Sequence, residues 1–180
     1  MCGITGWIDW ERDLTQHSWL VEQMSETLGH RGPDEHGCWL SPRAVLGHRR
    51  LIVIDPQGGI QPMVHETANR TYVITYNGEI YNFRELRSEL REREHIFDTQ
   101  SDTEVLLHTY VEWGEDCVLH LNGIFAFGLW DEQKQQLLLA RDHLGVKPLF
   151  YAQRGSAILF GSELKALLWP IHSSKRKLMK

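Results

Sequence analysis

The chain has 180 residues, of which 42% are hydrophobic and 24% are charged, as is typical of one folded globular domain and not of a disordered segment. The formal net charge of -5 disfavours a nucleic acid as the main partner, because phosphate binding requires clustered cations. No apolar run approaches about 20 residues and charges follow the first apolar stretch directly, so neither a membrane span nor a secretory signal is expected.

The first third of the chain predicts strands around one helix. Apolar and aromatic residues predict a strand over residues 3–9, and apolar residues at helical spacing predict an amphipathic helix near residues 16–28. A loop rich in glycine, proline and polar residues follows at residues 30–37. Two strands joined by a short turn are then predicted over residues 38–41 and 44–54.

The second of these two strands contains an anomaly, because Arg49 and Arg50 interrupt an otherwise apolar run. A guanidinium that emerges from such a strand requires an anionic ligand, a carboxylate partner or an exposed edge from which it can reach solvent. An exposed edge is the simplest of these explanations.

The Asn77-Gly78 dipeptide ends a predicted strand over residues 71–76 and allows two interpretations. Asn-Gly after a strand is typical of a type I′ hairpin. Phe83, Leu86 and Leu90, however, are spaced as one face of a helix and not as a returning strand. A turn from strand to helix would leave the Asn77 carboxamide and the Gly78 N–H group free to face a ligand, and spacing alone leaves both interpretations open.

The second half predicts a helix, two strands and a hairpin. Ser101 and Glu104 have the spacing of a capping box, so a helix is predicted from there to Gly114, and Asp102 in its first turn also suits the helix dipole. Paired strands with helices grouped between them favour an α+β fold over a βαβ alternation. The remaining predicted elements are a short helix over 116–121, strands over 124–131 and 136–142, a hairpin of 150–153 with 157–160, and a helix over 162–168.

Cys2 is the residue with the clearest potential for chemistry, although on its own it is simply a residue that follows a start codon. If Met1 is removed, the amine and the thiol of Cys2 share one Cα. The free α-amine has a reference pKa of about 7.7 to 8.0, which suits a general base near neutral pH. Activation of a nucleophile by its own terminal amine is an established catalytic arrangement.

Metal binding is not predicted. Cys2, Cys38 and Cys117 are odd in number and widely spaced, which suits neither a disulfide framework nor a zinc site and makes a reducing cytoplasm the default location. The ten histidines lack the spacing of metal ligands, and the motifs of phosphate loops, dinucleotide sites and zinc proteases are all absent from the sequence.

Nearly the whole chain, to about Leu168, resembles the N-terminal glutaminase domain of glutamine-hydrolysing asparagine synthetases, a branch of the class II glutamine amidotransferases. Each motif is weak alone, but their order and spacing are specific. The motifs are Met1-Cys2-Gly3-Ile4, His30-Arg31-Gly32-Pro33-Asp34, Arg50-Leu51, Ile54-Asp55, Gln61-Pro62, Asn77-Gly78-Glu79-Ile80-Tyr81-Asn82, Ser101-Asp102-Thr103-Glu104, Leu121-Asn122-Gly123, Arg141-Asp142-His143-Leu144-Gly145-Val146-Lys147-Pro148-Leu149 and Ser162-Glu163-Leu164-Lys165-Ala166-Leu167.

The resemblance implies an N-terminal nucleophile hydrolase fold, in which two antiparallel sheets form a sandwich between helical layers. It also implies hydrolysis of L-glutamine to glutamate and ammonia through a thioester on Cys2, with the amine of Cys2 relaying the proton. Asn77 and the Gly78 N–H group match the oxyanion hole, whose preorganised donors stabilise the tetrahedral intermediate.

Substrate recognition is carried over in the same way. Arg50 matches the residue that holds the glutamine α-carboxylate, a task suited to a bidentate guanidinium. Glu79 and Asp102 match the groups that bind the α-ammonium. The list of expected substrate-binding residues is completed by the backbone of Leu51 and Val53 and by Arg31, which is expected to order the bound substrate.

The resemblance also sets expectations about domains and partners. We expect a class II amidotransferase domain over residues 1–168 and a basic tail over 169–180, a truncation or the start of a linker. This domain needs no cofactor, since ATP and Mg²⁺ would belong to a synthetase domain that the sequence lacks and that would act in cis or in trans. A homodimer is possible. Two alternatives stay open: a module that binds glutamine or a partner without catalysis, and a glutaminase that supplies ammonia to a different acceptor.

Overall fold

The structure is a computed structural model that describes residues 1–52 and 58–168. Two antiparallel sheets face each other. The first has the strand order β2-β3-β1-β9-β8 and the second the order β4-β5-β6-β7. The strands are β1 (Gly3–Asp9), β2 (Glu35–Leu40), β3 (Ala44–Arg50), β4 (Met63–Glu66), β5 (Thr71–Ile80), β6 (Gly123–Asp131), β7 (Gln136–Arg141), β8 (Phe150–Arg154) and β9 (Ala157–Gly161).

Helices cover the outer faces of both sheets. Helix α1 (Ser18–Glu26) packs on the first sheet, whereas α2 (Phe83–Glu92) and α3 (Asp102–Trp113) pack on the second. A 3₁₀ helix (Gly114–His120) follows α3, and residues 164–168 are helical. The result is four layers in the order helix, sheet, sheet, helix, which confirms the predicted α+β sandwich.

Three apolar clusters hold these layers together, because the central strands of each sheet are buried on both faces. The middle cluster joins the two sheets, one joins α1 to the first sheet, and one joins α2 and α3 to the second. The middle cluster contains Ile4, Ile8, Ala44, Leu46, Val73, Ala126, Trp130 and Phe160. Strand β1 therefore runs through the centre of the molecule, paired with β3 on one side and β9 on the other.

The sequence predicted most elements within a few residues, but three strands differ. Strand β3 ends at Arg50 and not at residue 54, and residues 53 and 54 lie outside the described part of the chain. Strand β4 was not predicted, because it is a four-residue edge strand with a histidine and a glutamate in it. Strand β2 begins at Glu35, within the segment predicted as a loop.

The Asn77-Gly78 dipeptide lies inside β5 and does not form a hairpin. The register with β6 continues without a break from Tyr72 to Ile80, and helix α2 follows two residues after the strand ends. The interpretation as a passage from strand to helix was thus correct, with the strand four residues longer than predicted. Pairing with β6 overrides the low strand propensity of Asn and Gly.

In residues 1–52 and 58–168, no helix is both long and apolar enough to cross a membrane. The predicted basic tail over 169–180 lies outside the described residues.

Candidate active site

Cys2 lies immediately before β1, and the pairing of β1 with β3 determines its position. Gly3 is opposite Arg49, so Cys2 lies beside the residues that follow β3. There the Cys2 thiol acts as both hydrogen-bond acceptor and donor towards the backbone of Leu51. The Leu51 N–H group donates to Sγ at 3.4 Å, and the thiol donates to the Leu51 carbonyl at 3.6 Å. These two contacts hold the sulfur at the open end of the first sheet.

A cavity of about 150 Å³ begins at Cys2 and brings together most of the predicted site residues. Strand β3 and its continuation contribute Arg50 and Leu51, β5 contributes four consecutive residues, and α3 contributes its first turn. The predicted residues that line the cavity are Cys2, Arg50, Leu51, Asn77, Gly78, Glu79 and Asp102. The chain separates these groups by up to 100 residues, so only the fold can place them around one space.

Asn77 presents an unused hydrogen-bond donor in this cavity. Asn77 is 2% exposed, and its Nδ2 atom has no hydrogen-bond partner among the described residues. Alternate residues of a strand share a face, and Val73 of the same face belongs to the cluster between the sheets. The Asn77 carboxamide therefore faces the sheet that carries Cys2. A buried donor without a partner costs about 1 to 3 kcal/mol, which marks this position as adapted to a ligand.

The Gly78 N–H group also takes no part in the hydrogen bonding between β5 and β6. Its partner in β6 is Phe125, which directs both of its backbone groups to Asp142 on the other side: Asp142 N–H donates to the Phe125 carbonyl, and Phe125 N–H donates to the Asp142 carboxylate. In an antiparallel pair, the backbone N–H and C=O groups of two opposite residues are directed either towards each other or away from each other. The Gly78 N–H group therefore lies on the edge of β5 that faces away from β6.

The neighbouring N–H groups on this edge of β5 are both satisfied. Tyr76 N–H donates to the Gln61 side chain at 2.7 Å, and Ile80 N–H donates to Asp102 Oδ2 at 3.1 Å. Strand β4 ends opposite Ile74, before it reaches this part of the edge. Between them, Gly78 N–H has no partner among residues 1–52 and 58–168 and borders the cavity.

Position 78 also requires a glycine for steric reasons. A Cβ atom added there would lie 2.4 Å from the Ile124 carbonyl oxygen and 2.7 Å from the Phe125 Cα. Both atoms belong to the backbone of β6, which cannot move aside without opening the sheet. The absence of a side chain keeps β5 close to β6 and leaves the edge beside the cavity uncovered.

Arg50 resolves the anomaly in the strand sequence. It is buried, and its Nη1 donates to Glu35 Oε2 at 2.7 Å, so a carboxylate partner and not an exposed edge accounts for it. Arg50 ends β3 and Glu35 begins β2, and the two residues are paired in register. The ion pair holds a guanidinium that also borders the cavity, and a guanidinium is suited to bind an anion through two parallel N–H groups.

Asp102 lies in the first turn of α3, where the sequence predicted it. Its Oδ2 accepts hydrogen bonds from the Tyr76 hydroxyl at 2.7 Å and from Ile80 N–H. Burial raises the pKa of the Asp102 carboxyl above its ordinary value, while these hydrogen bonds oppose that rise. Burial and the adjacent carboxylate raise the pKa of Tyr76 well above its ordinary value, so the tyrosine stays a neutral donor. Exposed Glu79 adds a second carboxylate at the cavity.

The start of α3 is fixed by local hydrogen bonds that differ in one respect from a capping box. Ser101 is the N-cap, and its Oγ accepts from Glu104 N–H at 3.3 Å. The Glu104 carboxylate does not return to the Ser101 N–H group. It accepts from the backbone of Asp98 and Thr99 instead, at 2.7 and 2.8 Å. The carboxylate thus ties the preceding loop to the helix and so fixes the position of Asp102.

Among the predicted site residues that the structure describes, Arg31 alone does not line the cavity. Val53 lies outside the described residues. The expected role of Arg31 in ordering the substrate stays a prediction. Arg31 Nε donates to the main-chain carbonyl of Cys2 at 3.0 Å. Arg31 therefore contacts the backbone of the candidate nucleophile.

Tyr76, Gln61 and Lys147 line the cavity although the sequence analysis gave none of them a role at the site. Tyr76 and Gln61 lie beside Asp102, and Lys147 approaches from the loop after β7. Gln61 and Lys147 both precede a proline in the quoted motifs, which is a signal that could have been used. Tyr76 reads as an ordinary strand residue, and only the packing of α3 on β5 brings its hydroxyl to Asp102.

The described residues contain no group of three or more His, Cys, Asp or Glu side chains arranged to hold a metal ion.

Residues 1–178 match the family model of the glutamine amidotransferase domain. The chain belongs to this family. Asparagine synthetase [glutamine-hydrolyzing] 3 of Bacillus subtilis is 55% identical over 168 residues, which cover 93% of this chain and 27% of the relative. Asparagine synthetase B [glutamine-hydrolyzing] of Escherichia coli is 40% identical over 170 residues, which cover 93% of this chain and 30% of the relative. The chain thus spans about a quarter to a third of the curated relatives that it matches.

Two solved structures have the same fold as this chain. The glutamine phosphoribosylpyrophosphate amidotransferase of Bacillus subtilis, complexed with ADP and GMP, superposes with a TM-score of 0.78 and 22% identity, over 93% of this chain and 43% of that one. A regulatory enzyme of purine biosynthesis gives a TM-score of 0.76 and 23% identity over 92% of this chain and 43% of that one. At such identities the likeness shows the fold alone, and the fold is the predicted sandwich of two antiparallel sheets between helical layers.

Proposed function

We propose that this chain hydrolyses L-glutamine to glutamate and ammonia, with Cys2 as the nucleophile once cleavage of the Met1–Cys2 bond has freed its amine. One observation carries the proposal. The Cys2 thiol and the charged groups Arg50 and Asp102 border a single small cavity. Two donors on Asn77 and Gly78 that have no partner among residues 1–52 and 58–168 border it as well. Acyl transfer requires this combination of a nucleophile, oxyanion donors and groups that orient the substrate.

The first half of the reaction forms a thioester. The sulfur of Cys2 attacks the side-chain carboxamide carbon of glutamine, and the amine of Cys2 accepts the thiol proton. The carbonyl oxygen becomes an oxyanion, which the Asn77 carboxamide and the Gly78 N–H group stabilise. Collapse of this intermediate breaks the C–N bond, and the protonated amine returns its proton to the departing nitrogen, so that ammonia leaves.

The second half of the reaction regenerates the thiol. A water molecule attacks the thioester carbonyl, the amine of Cys2 accepts its proton, and the same two donors stabilise the second oxyanion. Breakage of the C–S bond releases glutamate, and the protonated amine returns its proton to the departing sulfur. Because one residue supplies both the base and the nucleophile, the direction of its amine relative to its thiol decides the efficiency of both steps.

The cavity is lined by groups of both charges, which suit the α-carboxylate and the α-ammonium of the substrate. Arg50 would bind the α-carboxylate, and Asp102 with Glu79 would bind the α-ammonium. Leu51 would hold the substrate through its backbone, as would Val53 outside the described residues. These contacts place the reactive carboxamide, at the far end of the substrate, beside Cys2.

We further propose that the ammonia serves ATP-dependent synthesis of asparagine from aspartate. The relatives that are 55% and 40% identical are glutamine-hydrolysing asparagine synthetases, and each is about three to four times longer than the matched region. A synthetase domain, in cis or in trans, would then supply the sites for ATP, Mg²⁺ and aspartate. The glutaminase site needs no cofactor for the chemistry described.

The test combines intact-mass analysis with measurement of glutamate release from L-glutamine. Protein that lacks Met1 should release glutamate, and protein that retains Met1 should not, because its amine is then part of a peptide bond. Cys2→Ala should abolish turnover. Cys38→Ser is the matched control, because Cys38 is an exposed thiol on β2 that does not line the cavity. Glutamate release that survives in processed Cys2→Ala protein would refute the proposal.

A further inference from the structure

Arg31 and Glu163 connect the start of the chain to its last described helix. Arg31 Nε donates to the Cys2 carbonyl at 3.0 Å, and its Nη1 donates to Glu163 Oε1 at 3.0 Å. One guanidinium therefore bridges the nucleophile's backbone and a carboxylate that is 161 residues away in the sequence. Neither Arg31 nor Glu163 lines the substrate cavity.

This bridge is largely removed from solvent on the arginine side. The Arg31 side chain is 9% exposed, and its Nη2 is already buried without a hydrogen-bond partner in the described chain. Loss of the Glu163 carboxylate would leave a second buried donor unsatisfied, which costs the desolvation penalty of that group. The guanidinium would then reorient towards solvent or another acceptor and release the Cys2 carbonyl.

Backbone pairing places Glu163 at this point. Strand β9 pairs with β1 up to Gly161, opposite Thr5. The next residue, Ser162, is bonded to Ile4 in both directions: its N–H donates to the Ile4 carbonyl at 2.9 Å, and its Oγ accepts from Ile4 N–H at 3.0 Å. Glu163 follows directly and is therefore held beside the N-terminal end of β1.

Glu163 is an anion that several donors share. His30 Nε2 lies 3.0 Å from the same oxygen that Arg31 binds, and Lys165 Nζ lies 3.0 Å from the other oxygen. Burial opposes ionisation, but the hydrogen bonds from Arg31, Lys165 and His30 lower the pKa of Glu163 to about 2. The carboxylate thus remains charged at neutral pH and available to Arg31.

We propose that Glu163 is a positioning residue for the nucleophile, because it holds the Arg31 guanidinium against the Cys2 carbonyl. The Cα of Cys2 carries the thiol-bearing Cβ, the carbonyl carbon and the amine nitrogen. Leu51 fixes the thiol and Arg31 fixes the carbonyl. Because Cα is tetrahedral, holding two of its substituents also determines the direction of the third, the amine that acts as the base.

This inference depends on the proposed glutaminase mechanism, and it predicts a specific kinetic signature. In Glu163→Leu, kcat for glutamine should fall about 10- to 100-fold, as expected for a small misplacement of reacting groups. The KM should stay within about threefold, because the substrate cavity is untouched. Glu163→Gln retains an acceptor for Arg31 and should recover most of kcat. Arg31→Lys, which lacks the guanidinium bridge, should reproduce the loss and serves as a second variant if Glu163→Leu fails to fold.

Lys165→Met is the matched control. Lys165 pairs with the same carboxylate but contacts no atom of the nucleophile, so kcat should remain within about twofold. Equal kcat for Glu163→Leu and Glu163→Gln, or a rise in KM that accounts for the whole loss, would overturn the inference. All variants are compared as processed protein with Met1 removed, and their unfolding midpoints are measured alongside.

A second measurement separates this inference from the proposed function. The rate at which iodoacetamide alkylates Cys2, followed by peptide mass spectrometry, reports the activation of the thiol without any glutamine. It should fall about threefold or more in Glu163→Leu and be restored in Glu163→Gln. If the parent protein does not hydrolyse glutamine but shows this alkylation pattern, the proposed function fails and the inference stands. If the parent hydrolyses glutamine and the two variants are alkylated equally, the inference fails and the function stands.

Discussion

Asn77 should be essential for turnover although it contributes little to folding. Replacement by alanine removes the buried Nδ2 donor, which has no partner in the described protein. Loss of one oxyanion-hole donor typically lowers kcat about 10²- to 10³-fold, or about 2.7 to 4 kcal/mol of transition-state stabilisation. Because this interaction is made only with the oxyanion, KM should change little.

The stability of Asn77→Ala should change little, in contrast to its kcat. An unsatisfied buried donor destabilises the folded state by about 1 to 3 kcal/mol, and its removal offsets the small loss of packing. The free energy of unfolding should therefore fall by less than about 1 kcal/mol. Steady-state glutamate release and urea denaturation of the same processed sample measure both quantities.

Thr75→Val is the matched control, because Thr75 lies two residues earlier on the same face of β5. Its hydroxyl donates to the Gly47 carbonyl at 3.1 Å, so this variant loses a buried hydrogen bond, worth about 1 kcal/mol, but no donor at the cavity. It should be less stable with nearly normal kcat. A kcat loss below about 10-fold in Asn77→Ala, or a loss of more than about 2 kcal/mol in its stability, would refute the reasoning.

Two further predictions concern Tyr76 and His108. Tyr76→Phe removes the hydroxyl that donates to Asp102, so KM for glutamine should rise severalfold. Hydrolysis of the glutamine analogue that lacks the α-amino group should be unaffected. Equal effects on both substrates would contradict this role of Tyr76. Burial, with nearby His65, His95 and Arg87, lowers the pKa of His108 to about 3. Below about pH 6.5 the unfolded chain therefore binds a proton at His108 that the folded protein does not bind, so the free energy of unfolding should rise between about pH 5 and 7 in urea titrations. His108→Gln should make this rise smaller. An unchanged rise in this variant would show that His108 is not held neutral in the folded protein.

Local pattern was sufficient to predict elements whose own residues decide their structure. The helix that starts after Ser101 was predicted because the N-cap oxygen and the apolar spacing both lie within a few residues. The Asn77-Gly78 segment could not be settled in this way. Its strand conformation comes from continuous pairing with β6, more than 40 residues later, which no local propensity reports.

The order of residues is enough to show the chemical types at the site: a thiol next to a removable methionine, a carboxamide beside a glycine, an arginine in an apolar strand and a carboxylate at a helix start. Their roles stay predictions until tested. The tertiary structure shows which groups share a cavity, that Arg50 pairs with Glu35, and that Arg31 donates to both the Cys2 carbonyl and the Glu163 carboxylate. Hydrogen bonds and ion pairs act over a few ångströms, and only strand pairing between distant segments brings these groups that close.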